Sequence, residues 1–133
     1  MMNKEQLIEL VNSLELPVDE FYILGSGSLL LYGIRQIAND LNLCVSNELF
    51  KILATKYVIK EKNSCGFYQL TDNIEIVINS KQDFTRDFVN GYPVEKLERI
   101  LEFKKSRNKE KDQDDIGKII EYINFKSIKK RKH

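Results

Sequence analysis

The sequence predicts an α/β domain in which helices flank a small mixed β-sheet. Two short stretches, residues 21–24 and 40–45, have the length and apolar content of strands, and helix-like patterns lie before the first and after the second. Alternation of strands and helices along a chain is typical of this fold class. The 133 residues are enough for one domain with one core. We expect residues 1–125 to form this domain and the basic residues 126–133 to form a disordered tail.

The N-terminal elements are a helix, a buried strand and a second, shorter helix. Apolar residues between positions 7 and 14 recur with the spacing of one helix face, and a proline ends the pattern. The continuous apolar run at 21–24 closes on a glycine, as expected for a short buried strand. Residues 25–28 are predicted to form a turn, and residues 29–34 a short helix packed behind it.

The second strand carries two polar side chains on one face. In residues 40–45, leucine and valine alternate with Asp40, Asn42 and a cysteine, and alternate residues of a strand project from the same face. Ser46 then suits the N-cap of a helix that continues to about Tyr57. Asp40 and Asn42 therefore point the same way.

Three strand-like runs follow, VIKEK, GFYQL and DNIEIVIN. In the last run Glu75 is a misfit, because a carboxylate in the middle of a strand requires a partner, a metal or solvent. Residues 83–92 have a poor pattern and are interpreted as irregular.

Two more helices are predicted near the C-terminus. Pro93 suits the first turn of a helix with Leu97 and Ile100 inward, which fades into a polar run. Asp112 and Asp115 then open a last helix, in which four isoleucines between 116 and 123 face inward.

Composition excludes several classes of protein. The 21 Lys and Arg residues against 20 Asp and Glu residues give a net charge of +1, so the chain as a whole has no field that favours nucleic acid. Cys44 and Cys65 form no Cys-x-x-Cys pattern, which fits a reducing cytoplasm better than a disulfide framework or a zinc site. No run approaches the roughly 20 apolar residues that would cross a membrane, and the N-terminus is unlike a signal peptide. We expect a soluble cytoplasmic protein.

Residues 25–28, Gly-Ser-Gly-Ser, match neither common phosphate-binding loop. The Gly-Lys-Ser/Thr of a P-loop and the third glycine of a dinucleotide fingerprint are both missing. The position of this segment is more informative: it stands between a buried strand and a helix, and Asp-x-Asn follows on a strand fifteen residues later.

This arrangement resembles the nucleotidyltransferase superfamily, whose short members have Gly-Gly/Ser, a helix, and then Asp-x-Asp on the next strand. The stretch "GSGSLLLYGIRQIANDLNL" fits that pattern without a gap. The resemblance continues in "NIEIVI", where such proteins have a third acid, and in "LERILEFKKSRNKEKDQDDIGKIIEYI". The last segment is similar to the C-terminal series of small prokaryotic relatives, with basic residues, Lys-Asp and then x-x-Asp-Ile.

The resemblance implies a phosphoryl-transfer site with two Mg²⁺ or Mn²⁺ ions about 3.5–4 Å apart. By this analogy Asp40, Asn42 and Glu75 are both the catalytic residues and the metal ligands. Asn42 departs from the family pattern, because an amide replaces the second acid. Its oxygen can still coordinate Mg²⁺, but one negative charge that would offset dehydration of the ion is lost.

The same analogy implies a nucleoside triphosphate as the ligand of the turn and of the basic residues. The nucleotide-binding candidates are Gly25, Ser26, Ser28, Arg35, Lys104, Lys109 and Lys111. Amides and hydroxyls at the start of a helix suit phosphate oxygens. In relatives the residue at the position of Lys109 is usually arginine.

Simpler interpretations of the same residues stay open. Residues 25–28 can be a plain turn, Asp40 can pair with Arg35 at the surface, and Asn42 can be an ordinary polar residue of a strand. Glu75 can pair with a lysine. The two acids at 112 and 115 can be helix caps, and the lysines at 104, 109 and 111 can be a solvated face.

The expected function is Mg²⁺-dependent transfer of a nucleoside monophosphate from a triphosphate to a protein, nucleic-acid or small-molecule acceptor. One alternative keeps the fold without the reaction, as a protein that binds a nucleotide or a partner, for example a toxin–antitoxin component whose partner is encoded nearby. A second alternative is a nucleic-acid-binding module that uses the basic stretch and tail. No membrane partner is expected.

Overall fold

A computed structural model describes residues 1–61 and 66–131 of the chain. It contains a seven-stranded mixed sheet with helices, which confirms the α/β fold class. The helices in the described ranges are α1 (Lys4–Ser13), α2 (Gly25–Tyr32), α3 (Asn47–Lys56), α4 (Leu97–Arg107) and α5 (Gln113–Arg131). The strands are β1 (Phe21–Ile23), β2 (Leu41–Val45), β3 (Lys60–Glu61), β4 (Phe67–Thr71), β5 (Ile74–Ile78), β6 (Arg86–Val89) and β7 (Tyr92–Glu95).

The strand order brings the ends of four strands together. Across the sheet the order is β3-β4-β5-β2-β1-β7-β6. β1 is antiparallel to β2 and parallel to β7, while β2 is parallel to β5. The last residues of β1 and β7 therefore lie at the same end of the sheet as the first residues of β2 and β5. Since α2 also begins there, we refer to this edge as the α2 end of the sheet.

Two helices begin with side-chain caps that the local sequence provides. Asn3 accepts a hydrogen bond from the Gln6 amide, and the Gln6 side chain accepts one from the Asn3 amide, which forms a capping box for α1. The Ser46 hydroxyl oxygen accepts a hydrogen bond of 3.1 Å from the Leu49 amide and caps α3. The predicted N-cap at Ser46 is confirmed.

One face of the sheet packs against α1, α2 and α3. Leu41, Leu43 and Val45 of β2 are fully buried in this core, in agreement with the alternation in the sequence. A second apolar cluster joins α2 to α4 and α5 and consists of Leu29, Ile34, Leu97, Ile100 and Ile119. α2 thus packs in both clusters, and its start is fixed relative to the sheet and to the C-terminal helices.

Several predicted element boundaries are wrong. Residues 25–28 are not a separate turn but the first turn of α2. Residues 83–92, predicted as irregular, contain β6 and the start of β7, and Pro93 lies in β7, four residues before α4 begins. These strands are only four residues each, so they show little periodicity. They pair with each other as a hairpin, with Val89 opposite Tyr92, and the Asn-Gly at positions 90–91 is the turn signal that the prediction overlooked.

The predicted tail also differs from the structure. α5 continues through residue 131, so residues 126–131 are helical and not disordered. Residues 132–133 and Cys65 lie outside the described residues, as does part of the predicted VIKEK strand.

A close approach between α2 and β1 predicts that Gly27→Ala lowers the free energy of unfolding. A Cβ atom at Gly27 would lie 2.7 Å from the Ile23 Cγ2 atom, which is too close without a shift of the helix. We expect a loss of about 2 kcal/mol, as for overpacking of a tight core. Urea denaturation followed by circular dichroism measures this change.

Gly117→Ala is the matched control, because the added Cβ in α5 would meet no atom within 4 Å apart from the adjacent backbone of its own helix. There we expect a gain of about 0.5 kcal/mol from helix propensity. A loss of similar size in both variants would contradict the packing argument.

Candidate functional site

A polar cavity of about 360 Å³ lies at the α2 end of the sheet. Its lining combines hydroxyl, guanidinium, carboxylate and amide groups with a few apolar side chains. The lining residues are Met1, Leu24, Ser26, Arg35, Ile37, Asn39, Asp40 and Asn42. Four of the predicted site residues therefore share one cavity: Ser26, Arg35, Asp40 and Asn42.

The antiparallel pairing of β1 and β2 produces this cavity. The Leu24 amide donates a 2.8 Å hydrogen bond to the Asn42 carbonyl oxygen, so the exit of β1 lies beside the entry of β2. α2 begins one residue later and contributes Ser26 from its first turn. Arg35 follows the helix, and its Nη1 atom donates a 2.9 Å hydrogen bond to the Ser26 hydroxyl oxygen.

Asp40 and Asn42 both contribute oxygen atoms to the cavity, but the two side chains differ in their exposure to solvent. Asp40 is exposed, whereas Asn42 is partly buried. The Asn42 Oδ1 atom is buried and accepts no hydrogen bond from the described residues. Nearly all buried polar atoms in folded proteins have a partner. An amide oxygen in this state fits a role as ligand to a cation.

Glu75 lies level with Asn42 on the neighbouring strand. β5 is parallel to β2, and the register pairs Glu75 with Asn42, which places both side chains on the same face of the sheet. Glu75 therefore lies beside Asn42 in the sheet, but it is not part of the cavity lining. The structure thus confirms that Glu75 is on the predicted face of the sheet. A role for Glu75 in the site stays a prediction.

The carboxylate and amide oxygens of the cavity would suit a single Mg²⁺ ion. Within residues 1–61 and 66–131, no group of three or more acidic, histidine or cysteine side chains could hold a metal ion. Mg²⁺ is often bound by one or two protein oxygens, with substrate phosphates and water supplying the rest. Asp40 and Asn42 can together supply such a partial ligand set for an ion that arrives with phosphates.

Glu95 is a carboxylate at the same end of the sheet, and it was not predicted from the sequence to belong to the site. Val94 pairs with Ile23, and Ile23 pairs with Leu43, so alternation places Glu95 on the same face as Asn42. Its Oε1 atom accepts a 2.9 Å hydrogen bond from the Gly25 amide. Burial raises the pKa of the Glu95 carboxyl, while that hydrogen bond and the nearby Arg99 and Lys104 oppose the shift. Assignment of β7 in place of a helix at this point would have brought Glu95 to attention.

Gly25 and Ser28 are already engaged within the protein. The first amide of α2, at Gly25, is used by Glu95, so this group is not open to a phosphate while that contact persists. Ser28 is fully buried, and its hydroxyl donates to the Ile23 carbonyl oxygen and accepts from the Glu95 amide. The prediction that Ser28 contacts phosphate is therefore corrected: this hydroxyl joins β1, α2 and β7.

Lys104 lies in a buried ion-pair network instead of the cavity. Its Nζ atom is 3.2 Å from Asp112 Oδ1 and 3.4 Å from Asp115 Oδ2, and Lys104 is only 8 % exposed. Arg107 pairs with the same Asp112 carboxylate. Asp112 and Asp115, which could also have been helix caps, instead balance the charge of Lys104 with their carboxylates.

The network reaches the cavity through Arg35. Its Nη1 atom lies 3.8 Å from Asp115 Oδ2, so the ion-pair partner of Arg35 in the described chain is Asp115 and not Asp40. Lys109 and Lys111 are exposed and do not line the cavity. Of the predicted basic residues, Arg35 alone is in the cavity lining.

Comparison with known proteins yields a likeness in fold. No protein-family model and no curated protein matches the chain. The chain is similar to the crystal structure of JHP933 from Helicobacter pylori, with 19% sequence identity and a TM-score of 0.48. The match covers 84% of this chain and 65% of JHP933, so the chain spans less than two thirds of that protein. At this identity the likeness concerns the fold and carries nothing about function.

The length and composition of the helices bear on whether one of them could cross a membrane. None of the described helices combines the length and the apolar character needed to span a membrane.

Proposed function

We propose that the chain binds a nucleoside triphosphate with Mg²⁺ in the cavity at the α2 end of the sheet and transfers its nucleoside monophosphate to an acceptor. One observation carries this proposal: groups suited to phosphate and groups suited to Mg²⁺ line the same cavity. Ser26 and Arg35 are the first kind, and Asp40 and Asn42 are the second.

Each of these side chains has a defined task in the proposed reaction. Arg35 and Ser26, which are already hydrogen-bonded to each other, orient the phosphates. Asp40 and Asn42 would hold a Mg²⁺ ion, which when bound neutralises phosphate charge and polarises the phosphoryl group. The acceptor oxygen forms a bond to the α-phosphorus, the bond from that phosphorus to the bridging oxygen breaks, and pyrophosphate leaves. The acceptor proton passes to water.

Nucleotide transfer by the purified full chain tests the proposal. We expect incorporation of label from α-³²P nucleotides into one member of a panel of protein, nucleic-acid and small-molecule acceptors, with Mg²⁺ or Mn²⁺ present. Arg35→Met should weaken nucleotide binding about tenfold, because a hydrogen bond to a charged group contributes about 1.5 kcal/mol. Isothermal titration with a nonhydrolysable triphosphate measures this binding.

Lys51→Met is the control, since Lys51 is an exposed cation of α3 outside the cavity. Equal binding by wild type and Arg35→Met would contradict a phosphate-binding role of the cavity. A failure of every protein to incorporate label would contradict transfer.

A second candidate function is nucleotide binding without transfer. One observation supports it: an amide, Asn42, stands where the nucleotidyltransferases that the sequence resembles have an acid, and Asp40 is the one carboxylate that the described residues contribute to the cavity lining. Metal-dependent binding without incorporation is the result expected for this function. The cytoplasmic location and a partner encoded nearby belong to the proposal in both cases, whereas an acceptor belongs only to transfer.

A further inference from the structure

A second cavity, of about 340 Å³, lies between α2, β6, α4 and α5. Two tyrosines, Tyr32 and Tyr122, form its aromatic walls, and Leu97 and Ile123 add apolar surface. The ring centroids of the tyrosines are 5.6 Å apart, with an angle of 72° between the ring planes. In this edge-to-face geometry, which aromatic pairs favour, the two rings stand nearly perpendicular in the cavity wall.

An alkylammonium group of the protein itself already lies over one of these rings. The Nζ atom of Lys126 is 5.5 Å from the centroid of the Tyr122 ring, which is within the range of a cation–π interaction. Lys126 is exposed and also belongs to the cavity lining. The cavity therefore accommodates an ammonium group against an aromatic face.

Two carboxylates give the cavity a negative field. Asp87 from β6 and Glu98 from α4 are both in its lining, and Lys126 is the cation that the described residues contribute to it. Burial raises the pKa of the Tyr32 hydroxyl, and the negative charges of Asp87 and Glu98 raise it further. This hydroxyl donates to the Glu95 carbonyl oxygen at 3.3 Å, which fixes the ring in the wall.

We propose that this cavity binds a small organic ammonium ion, with its charged head between the tyrosine rings and the carboxylates of Asp87 and Glu98. Aromatic faces with carboxylates beside them are the chemistry that recognises such cations. The Lys126 side chain occupies part of this position and competes with the ligand. The site is separate from the cavity at the α2 end, and it does not depend on the proposed nucleotide transfer.

Titration of the ¹⁵N-labelled full chain with tetramethylammonium chloride, at constant ionic strength, tests this site. We expect saturable shifts of amide signals around Tyr32 and Tyr122. Glu98→Gln should weaken binding about fivefold, since one partly exposed ionic attraction is lost. Lys126→Met should tighten binding, because the ammonium group of the protein no longer covers the ring.

Glu102→Gln is the matched control, one turn further along α4 and outside the cavity lining. It should bind as the wild type does. Unchanged amide spectra elsewhere verify that the variants are folded. The proposal is overturned if no saturable shift occurs, if tert-butanol causes the same shifts as the cation, or if Glu98→Gln binds as tightly as the wild type.

Discussion

Replacing Asp112 by asparagine is expected to lower the free energy of unfolding by about 3 kcal/mol. Asp112 is 2 % exposed, and its carboxylate balances both Lys104 and Arg107. Lys104 is itself buried, so the variant leaves a buried ammonium group with less opposite charge. Loss of one partner from a buried ion pair is costly for this reason, even where the intact pair adds little stability. Urea denaturation of both proteins measures the difference.

Asp114→Asn is the control on the same helix. Asp114 is exposed and pairs with Lys118 at 3.0 Å, one turn along α5. Such exposed pairs contribute less than about 0.5 kcal/mol. If both variants lose the same stability, burial of the network is not the cause.

The same network predicts a dependence of stability on pH. The hydrogen bond from Arg107 holds the pKa of the Asp112 carboxyl well below its ordinary range, with Lys104 adding to the effect and burial opposing it. A depressed pKa in the folded protein stabilises it above the ordinary carboxyl pKa, and this stabilisation is lost as the pH falls below about 4. The stability gap between wild type and Asp112→Asn should therefore shrink in acid.

One strand and one helix cap with a local signal were predicted correctly from the sequence. The alternation of β2 and the cap at Ser46 depend on neighbouring residues, and both are confirmed. β7 was mistaken for a helix start because of Pro93, although Asn90-Gly91 is a local signal for the hairpin that β7 forms with β6. Its partner β1 is about 70 residues away in the register of Ile23 with Val94, a pairing that local patterns do not encode. For that reason Glu95 was missed.

The candidate site was predicted in part for a similar reason. Asp40 and Asn42 share a strand, so their common direction follows from alternation alone. The burial of Lys104 and Ser28 depends on which distant elements pack over them, and a lysine in a charged stretch or a serine in a glycine-rich turn has the same sequence context whether it is exposed or buried. The ion pair of Lys104 with Asp112 and Asp115 forms only when α4 and α5 pack together.

Asp40→Asn is expected to reduce metal-dependent nucleotide transfer by more than about 100-fold, and Asn42→Asp to raise it by about tenfold. These results rest on the proposed function. Among the described residues, Asp40 is the one carboxylate in the lining of the cavity at the α2 end, so its loss removes the negative charge that would hold Mg²⁺. At Asn42 a carboxylate would replace the amide whose oxygen accepts no hydrogen bond from the described residues. Label incorporation from α-³²P nucleotides and the rise in Tm on addition of Mn²⁺ measure both effects.

Asn39→Asp separates ligand position from charge alone. Asn39 lines the same cavity and is exposed, so this variant adds the same negative charge outside the strand position of Asn42. If charge alone mattered, the two aspartates would strengthen Mn²⁺ binding equally, whereas coordination at Asn42 requires the gain to be confined to Asn42→Asp. If Asn42→Asp strengthens Mn²⁺ binding but no nucleotide transfer is detected, the result would favour nucleotide binding without transfer. Unchanged Mn²⁺ stabilisation in Asp40→Asn would remove Asp40 from the metal site, and with it the main reason to place a nucleotide in this cavity.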